Sequence, residues 1–382
     1  MSGSICLIYC PLPYNGRGPS KSCMGITENL LPEFSQARLF LPKSRFAPPD
    51  VPIVTGIPPF LSRLPWKFVR YPATARMNSL FKRSIENADA SSTVAYFWPS
   101  PSDNLLQMTK QQGLICVREM INCYRGTAKR ILDQAFRNLD IAPYHGITQD
   151  SVDQERLELS RYDYVLASND QCELTLAEAG VDRSRILKTS FGWSPKRFDH
   201  WKNVPKEKVF TVTFVGSIGV RKGVHCLLEA WRLAGRIGRL VLVGNVEPQF
   251  QPILSRYSND PSVEVIAFTD DIEKHYKSSH VFAFPTLEEG GPQVTYEAAG
   301  CGIPVIATLM GAGRLIEHET NGLIVPAGDP QRLAEAIVRT RENAAERTEL
   351  GERAAQHALQ FTYEKIGHQR AELFRQALYQ RT

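Results

Sequence analysis

Two glutamates eight residues apart, Glu289 and Glu297, stand in the segment Phe284-Pro-Thr-Leu-Glu-Glu-Gly-Gly-Pro-Gln-Val-Thr-Tyr-Glu297, with Gly290, Gly291 and Pro292 between them. Glycines permit close backbone approach. Proline suits a first helical turn, where its missing N–H would be unbonded anyway. N–H groups at such a helix start can donate to hydroxyl or phosphate oxygens. Glu297, one turn further in, can accept from two vicinal hydroxyls, as a clamp on a ribose or another sugar would, through charge-assisted hydrogen bonds. Two solvated acids at a helix start are the plainer alternative. The glycine-bearing loop between a strand and a helix favours the clamp.

A second constellation is Val215-Gly-Ser-Ile-Gly-Val-Arg-Lys-Gly-Val224. A buried strand ends at Gly216, a short turn carries Ser217 and Gly219, and Arg221 and Lys222 precede a helix that begins near Gly223. Backbone donors, the positive end of a helix and two cations make an anion site. Cations are electrostatically unfavourable at a helix start unless something there is negative. The G-x-x-x-x-G-K-S/T spacing of a Walker loop is absent, and so is G-x-G-x-x-G, which disfavours a nicotinamide cofactor; no cofactor and no metal are expected. A third loop, Asn15-Gly-Arg-Gly-Pro-Ser-Lys-Ser22, follows the first strand and offers Gly16 and Gly18 to a ligand, with a flexible surface turn as the alternative.

The elements that must position these loops alternate. In the second half the patterning predicts strands over 210–216, 239–244, 263–268, 281–285, 304–307 and 322–325, with helices over 224–234, 272–279, 293–299 and 330–343. Asn245, directly after one of these strands, joins the donor-side candidates. Apolar strands and amphipathic helices in turn are the mark of a doubly wound α/β domain on a parallel sheet, whose ligands bind at the carboxyl edge. The first half repeats the theme, with strands over 5–9, 37–41, 93–97, 114–117 and 164–167 and helices over 22–31, 102–111, 128–139 and 151–159; another helix ends over 175–180. Residues 188–204 read as the linker. The division expected is 1–190, 191–362 and a last helical segment, 363–382, packing back across both domains.

Length and composition agree. The 382 residues exceed one compact core and suit two domains. Hydrophobic residues at 43% and charged residues at 22% exclude a mostly disordered chain. No window approaches the roughly 20 apolar residues that span a bilayer, and the opening Met1-Ser-Gly-Ser-Ile-Cys-Leu-Ile-Tyr has neither the basic start nor the length of a signal segment. Eight cysteines without a C-x-x-C pair fit reduced thiols, so a cytoplasmic location is expected. A net charge of +5 permits a phosphate-bearing ligand or an anionic membrane face but falls short of a nucleic-acid signature.

One stretch stands apart. From Val51 to Ile85 there is no acid, while Arg63, Lys67, Arg70, Arg76, Lys82 and Arg83 are interleaved with Phe60, Trp66, Phe68, Tyr71 and Phe81. Such a mixture can lie in a membrane interface, here through 57–83, or hold an anionic acceptor. A proline-rich surface excursion whose aromatics pack on the domain is the alternative.

From about residue 162 onward the chain resembles the retaining GT-B glycosyltransferases, the large family that includes bacterial mannosyl-, glucosyl- and glucosaminyltransferases. The resemblance rests on Gly216 with Lys222-Gly223, on Glu289-x7-Glu297, on Ala298-Ala-Gly-Cys-Gly-Ile-Pro-Val-Ile-Ala-Thr308 and on Asn321-Gly-Leu-Ile-Val-Pro326. It implies two Rossmann-like domains facing across a cleft. It also implies that Arg221 and Lys222 hold the diphosphate of a nucleotide sugar, Glu297 the ribose, and Glu289 with Gly290 and Gly291 the donor sugar near its reacting carbon. Many relatives carry arginine where this chain has Ser217, so either Arg221 substitutes or one phosphate contact is lost. The family's glycine–proline spacing is shifted at Pro292. Where relatives have a histidine after the fourth strand of the first domain, this chain has Val117-Arg-Glu-Met120, which points to Glu119 facing the cleft, with His145 beside it.

The activity implied is transfer of a sugar, with retention, to a polysaccharide or lipid-linked acceptor. Two cations and a helix end can stabilise the departing diphosphate without a metal. A sugar phosphorylase, a transferase to a small soluble sugar, and an inactive sugar-nucleotide-binding protein are the other readings.

Overall fold

The computed structural model describes residues 4–45, 51–99 and 101–381, without the side chain of Pro59. Residues 1–3 of the opening segment lie outside it. The first domain runs β1 (Ile5–Tyr9), α1 (Gly18–Leu30), β2 (Gln36–Leu41), β3 (Ile53–Thr55), α2 (Trp66–Glu86), β4 (Thr93–Phe97), α3 (Asp103–Gln111), β5 (Ile115–Glu119), α4 (Arg125–Asn138), α5 (Gln149–Arg161), β6 (Tyr164–Ala167), α6 (Asp170–Glu178) and β7 (Ile186–Lys188). The second opens with β8 (Thr211–Val215), α7 (Val224–Leu233), β9 (Arg239–Val243), α8 (Gln251–Leu254), β10 (Val263–Ile266), α9 (Ile272–Ser278) and β11 (Val281–Phe284). It continues through α10 (Gln293–Gly300), β12 (Val305–Ala307), α11 (Leu309–Ala312), β13 (Leu323–Ile324), α12 (Pro330–Glu342) and α13 (Ala344–Ala358). A last helix, α14 (Tyr363–Tyr379), follows.

Among the described residues the strands form two sheets, in the orders β3-β2-β1-β4-β5-β6-β7 and β10-β9-β8-β11-β12-β13. Their pairings are parallel, β1 lying with Ile5 opposite Gln36 on one side and Thr93 on the other, and β8 with Thr211 opposite Arg239. Strands β4 and β5 are buried along their whole length, as strands covered by helices on both faces must be. Strand order reverses between β1 and β4 and between β8 and β11. At such switch points the loops leaving the carboxyl ends diverge and open a crevice. The loops after β1, β8 and β11 are those that carry Gly16 and Gly18, Arg221 and Lys222, and Glu289.

The fold class is the one expected. Besides the single-turn helices α8 and α11, two longer helices go beyond the sequence reading. The second half of the basic aromatic stretch, after β3 and a short turn, is helical: it forms α2, 21 residues long, with Pro72 inside it. Its buried residues Val69, Ala73, Met77, Phe81 and Ile85 recur every fourth position, a single stripe that the flanking cations and aromatics obscure. Phe81 anchors it, meeting the rings of Tyr9, Phe40 and Phe97 edge-on at centroid distances of 5.2, 5.0 and 5.7 Å. Beyond Asn343, α13 starts a new helix, capped by the Asn343 side chain accepting from the Glu346 N–H at 3.1 Å.

The linker and α14 cross between the domains side by side. The Trp193 N–H donates to the Phe361 carbonyl at 3.0 Å, and the Tyr363 N–H to the Trp193 carbonyl at 2.9 Å. α14 packs mainly on the first domain, against α1 and β4, while Tyr363 at its start accepts from the Gln293 side chain of α10 in the second. The Tyr363 ring seats against Gly25 and Gly192, where a Cβ would lie 2.8 Å from it in each case.

Candidate functional site

The turn after β8 is shaped by Gly223, which occupies the N-cap of α7 with φ 68°. A Cβ there would lie 1.9 Å from the carbonyl oxygen of Pro285, so the turn and the loop after β11 interlock only with glycine at that position. Gly223→Ala is therefore expected to lower stability by at least about 2 kcal/mol, from the left-handed conformation plus the clash, measured as a shift of the urea midpoint.

The interlock brings the two sequence motifs together. Lys222 Nζ pairs with Glu289, both side chains 10% exposed. Arg221 bonds the neighbouring Glu288 at 3.2 Å. Glu288 also accepts from the backbone N–H of Cys123 in the first domain at 3.1 Å. Burial, with help from the Arg221 charge, pushes Lys222 well below the ordinary lysine range, against the opposing pull of Glu288 and Glu247. An ammonium desolvated in this way gains from any further anion brought against it.

Glu297, within α10, has two cations on one oxygen: Arg197 from the linker at 2.8 Å and Lys21 from α1 at 3.2 Å. The loop after β1 thus reaches across the cleft. Gly16 and Gly18 take left-handed φ values of 79° and 61°; between them Arg17 stacks over the Phe268 ring at 3.8 Å and pairs with Asp270 at 3.3 Å. Ser217 donates to Glu247 at 2.9 Å. Asn245 is exposed, and its carbonyl accepts from the Ile218 N–H at 2.9 Å, tying the loops after β8 and β9 together. Pro292 stands just before α10 as its N-cap residue and not within the first turn.

Gly290 and Gly291 do permit close approach, but the approaching surfaces are the first domain and the linker. A Cβ on Gly290 would lie 2.4 Å from the Asn122 nitrogen, and one on Gly291 would lie 1.7 Å from the Phe191 ring. Ser168 and Asn169 both donate to the Gly290 carbonyl, the latter at 2.7 Å.

Glu119 requires a correction. It does not face the cleft: it is buried in an ion pair with Arg370 of α14, with Tyr96 donating to the same carboxylate. The reason is topological. β5 is central in its sheet, and the face on which Glu119 projects is the one α14 covers. His145 does reach the cleft wall, lining a cavity of about 400 Å³ together with Arg221, Glu247 and Glu288. Both its ring nitrogens are engaged, Nε2 with Asp133 at 2.8 Å and Nδ1 with the Ile147 N–H at 3.0 Å.

Sequence reasoning missed Glu288, Lys21 and Arg197. Glu288 is next to Glu289, and Lys21 lies at the end of the glycine-bearing loop after the first strand; only the fold reveals that each meets an opposite charge. Among the described residues no cluster of three or more His, Cys, Asp or Glu is placed to hold a metal ion.

Residues 209–343 match the family model described as "Glycosyl transferases group 1". Among curated proteins, the chain is 24% identical over 225 residues to the amylovoran biosynthesis glycosyltransferase AmsK of Erwinia amylovora, covering 55% of each chain. It is 32% identical over 135 residues to the capsular polysaccharide biosynthesis glycosyltransferase CapM of Staphylococcus aureus, covering 34% of this chain and 36% of CapM. The chain thus spans about half or less of the length of these relatives. Among solved structures, HepE of Anabaena in complex with UDP and glucose superposes with a TM-score of 0.71 at 17% identity, covering 98% of this chain and 100% of HepE. The sucrose-phosphate synthase of Thermosynechococcus elongatus does so with a TM-score of 0.74 at 19% identity, covering 99% and 100%. The fold is GT-B, and residues 209–343 are similar to the group 1 glycosyl transferases.

Proposed function

We propose that the protein transfers a sugar from a nucleotide-diphosphate donor to a glycan or lipid-linked acceptor, with retention of anomeric configuration and without a metal. The observation that carries this reading is the pairing of Lys222 with Glu289 and of Arg221 with Glu288, which joins the loops after β8 and β11, with Glu297 on the helix that follows the second loop. Breaking a sugar–phosphate bond puts negative charge on the departing diphosphate, and preorganised cations with a helix N-terminus stabilise that charge most where water is excluded. Arg221 and Lys222 take this role, exchanging their carboxylate partners for phosphate oxygens. Glu297 accepts from the ribose hydroxyls in place of Lys21 and Arg197. Glu289, released from Lys222, lies beside the reacting carbon with the Gly290 and Gly291 backbone. The acceptor hydroxyl attacks from the face the diphosphate leaves, and a phosphate oxygen takes its proton. Gly16, Gly18, Ser217 and Asn245 border the donor.

A panel of nucleotide sugars tests this by thermal stabilisation. A selective donor at a hundred times its Kd stabilises by about 2.7 kcal/mol, and Glu297→Gln is expected to abolish most of that shift. No stabilisation by any nucleotide diphosphate would contradict the reading. Slow hydrolysis of the sugar nucleotide without acceptor separates an active transferase from an inactive binder.

Supporting an acceptor at a membrane face, Phe60, Phe68 and Tyr71 are 79%, 68% and 71% exposed beside the cations of 57–83. No described helix is long and apolar enough to cross a membrane, so the contact proposed is peripheral. Phe68→Ala/Tyr71→Ala is expected to reduce co-sedimentation with anionic liposomes several-fold, since apolar insertion and charge attraction act together; equal sedimentation of both proteins would rule the contact out.

A further inference from the structure

Helix α4 presents Ala128, Leu132 and Phe136 to the cavity that holds Arg221. It presents Ile131, Gln134, Ala135 and Asn138 to a second and larger one, of about 870 Å³. The far wall of this second cavity belongs to the other domain, with His225 and Glu229 of α7, Leu309 of α11 and Val325 after β13. Arg221, Lys222, Glu289 and Glu297 take no part in it. Its volume suits a small organic molecule.

The lining combines an apolar interior with an unbalanced positive mouth. Ile131, Ala135, Leu139, Ile253, Leu309 and Val325 supply the apolar surface. Arg130, Arg137 and Arg256 line the cavity too. Arg130 has only Glu178, at 3.5 Å and largely exposed, while Arg137 and Arg256 have no ion-pair partner among the described residues. The acid on the wall, Glu229, is already neutralised by two bonds from Arg232 at 2.9 and 2.6 Å. The His225 side chain also borders the cavity; its Nδ1 is buried and without a hydrogen-bond partner in the described structure.

We propose that this cavity is a second ligand site, separate from the donor cleft, for an amphipathic anion: an apolar body against α4, α11 and Val325, with a phosphate or carboxylate head at Arg137 and Arg256. A guanidinium offers paired donors that match such a head. Charge and apolar surface must both be matched, so neither inorganic phosphate nor a neutral amphiphile fits as well.

The test is calorimetric titration of the full chain with decyl phosphate below its micellar concentration, beside inorganic phosphate and decyl maltoside. Decyl phosphate is expected to bind at least tenfold more tightly than either. Arg137→Ala/Arg256→Ala, at exposed positions that folding tolerates, is expected to weaken binding at least tenfold. Leu309→Trp, which fills the cavity from a side chain 56% exposed, is expected to remove it. Saturating nucleotide diphosphate and the Phe68→Ala/Tyr71→Ala substitutions should leave binding unchanged. Affinity rising from hexyl to decyl phosphate marks a lipid phosphate, and equal affinity marks a short soluble one; either outcome upholds the site. Binding insensitive to the arginine and Leu309 variants, or lost with the α2 variant or with nucleotide, overturns it whether or not the donor reading holds.

Discussion

Lys222→Ala is expected to reduce sugar transfer by two to three orders of magnitude and, separately, to destabilise the second domain by about 3–5 kcal/mol. The first effect is the loss of one preorganised donor to a developing anion, a term of about 2.7–4 kcal/mol in activation free energy. The second arises because Lys222 and Glu289 are buried together, so that removing the cation strands a carboxylate without a partner. Glu289→Ala strands the ammonium and is expected to behave alike on both counts. The double variant Lys222→Met/Glu289→Gln separates the two effects. Its stability should return to within about 1–2 kcal/mol of the parent, since replacing a buried pair by neutral groups of similar volume is often neutral, while its activity stays lost. Chemical denaturation and steady-state transfer assays on the three proteins decide the matter. Parental turnover in either single variant would remove Lys222 and Glu289 from the site.

Arg370→Ala is expected to show the converse pattern, a large loss of stability without a specific loss of chemistry. Arg370 is completely buried and holds Glu119, Tyr96 and the carbonyl of Ser190, the last at 2.8 Å. Cutting it to alanine leaves the Glu119 carboxylate buried and unpaired, at a cost of about 3–5 kcal/mol. α14 should then loosen from α1, readable as faster amide exchange along residues 363–379. Glu119→Gln keeps a polar partner for Arg370 and is expected to cost less. At a temperature where both variants remain folded, their kcat should match the parent. A hundredfold fall in kcat for folded Glu119→Gln would return this residue to the catalytic machinery.

These two pairs mark how much of the molecule was legible beforehand. Gly223 and the Lys222 beside it could be read because their task is local: a strand ends, the chain turns, and a helix begins within a few residues. The strands over 93–97 and 164–167 are found where apolar runs predict them, since parallel strands buried on both faces declare themselves by composition alone. Helix α2 was not legible as a helix. Its buried stripe is one residue wide, Pro72 interrupts it, and its exposed face carries the aromatics that normally mark an interior.

The amino-acid sequence by itself determined the alternation of elements, the doubly wound α/β class and the loops on which the chemistry-bearing residues stand, because periodicity, glycine punctuation and helix starts are properties of neighbouring residues; the GT-B arrangement came from the resemblance to a known family. Only the tertiary structure decided which charges meet. Glu119 and Arg370 are 251 residues apart, and Lys21 and Glu297 are 276 apart. Each pairing exists because closing a sheet or a cleft carries two distant side chains into the same low-dielectric space. No local pattern encodes that encounter, since its energy depends on burial that arises only when the whole chain is folded.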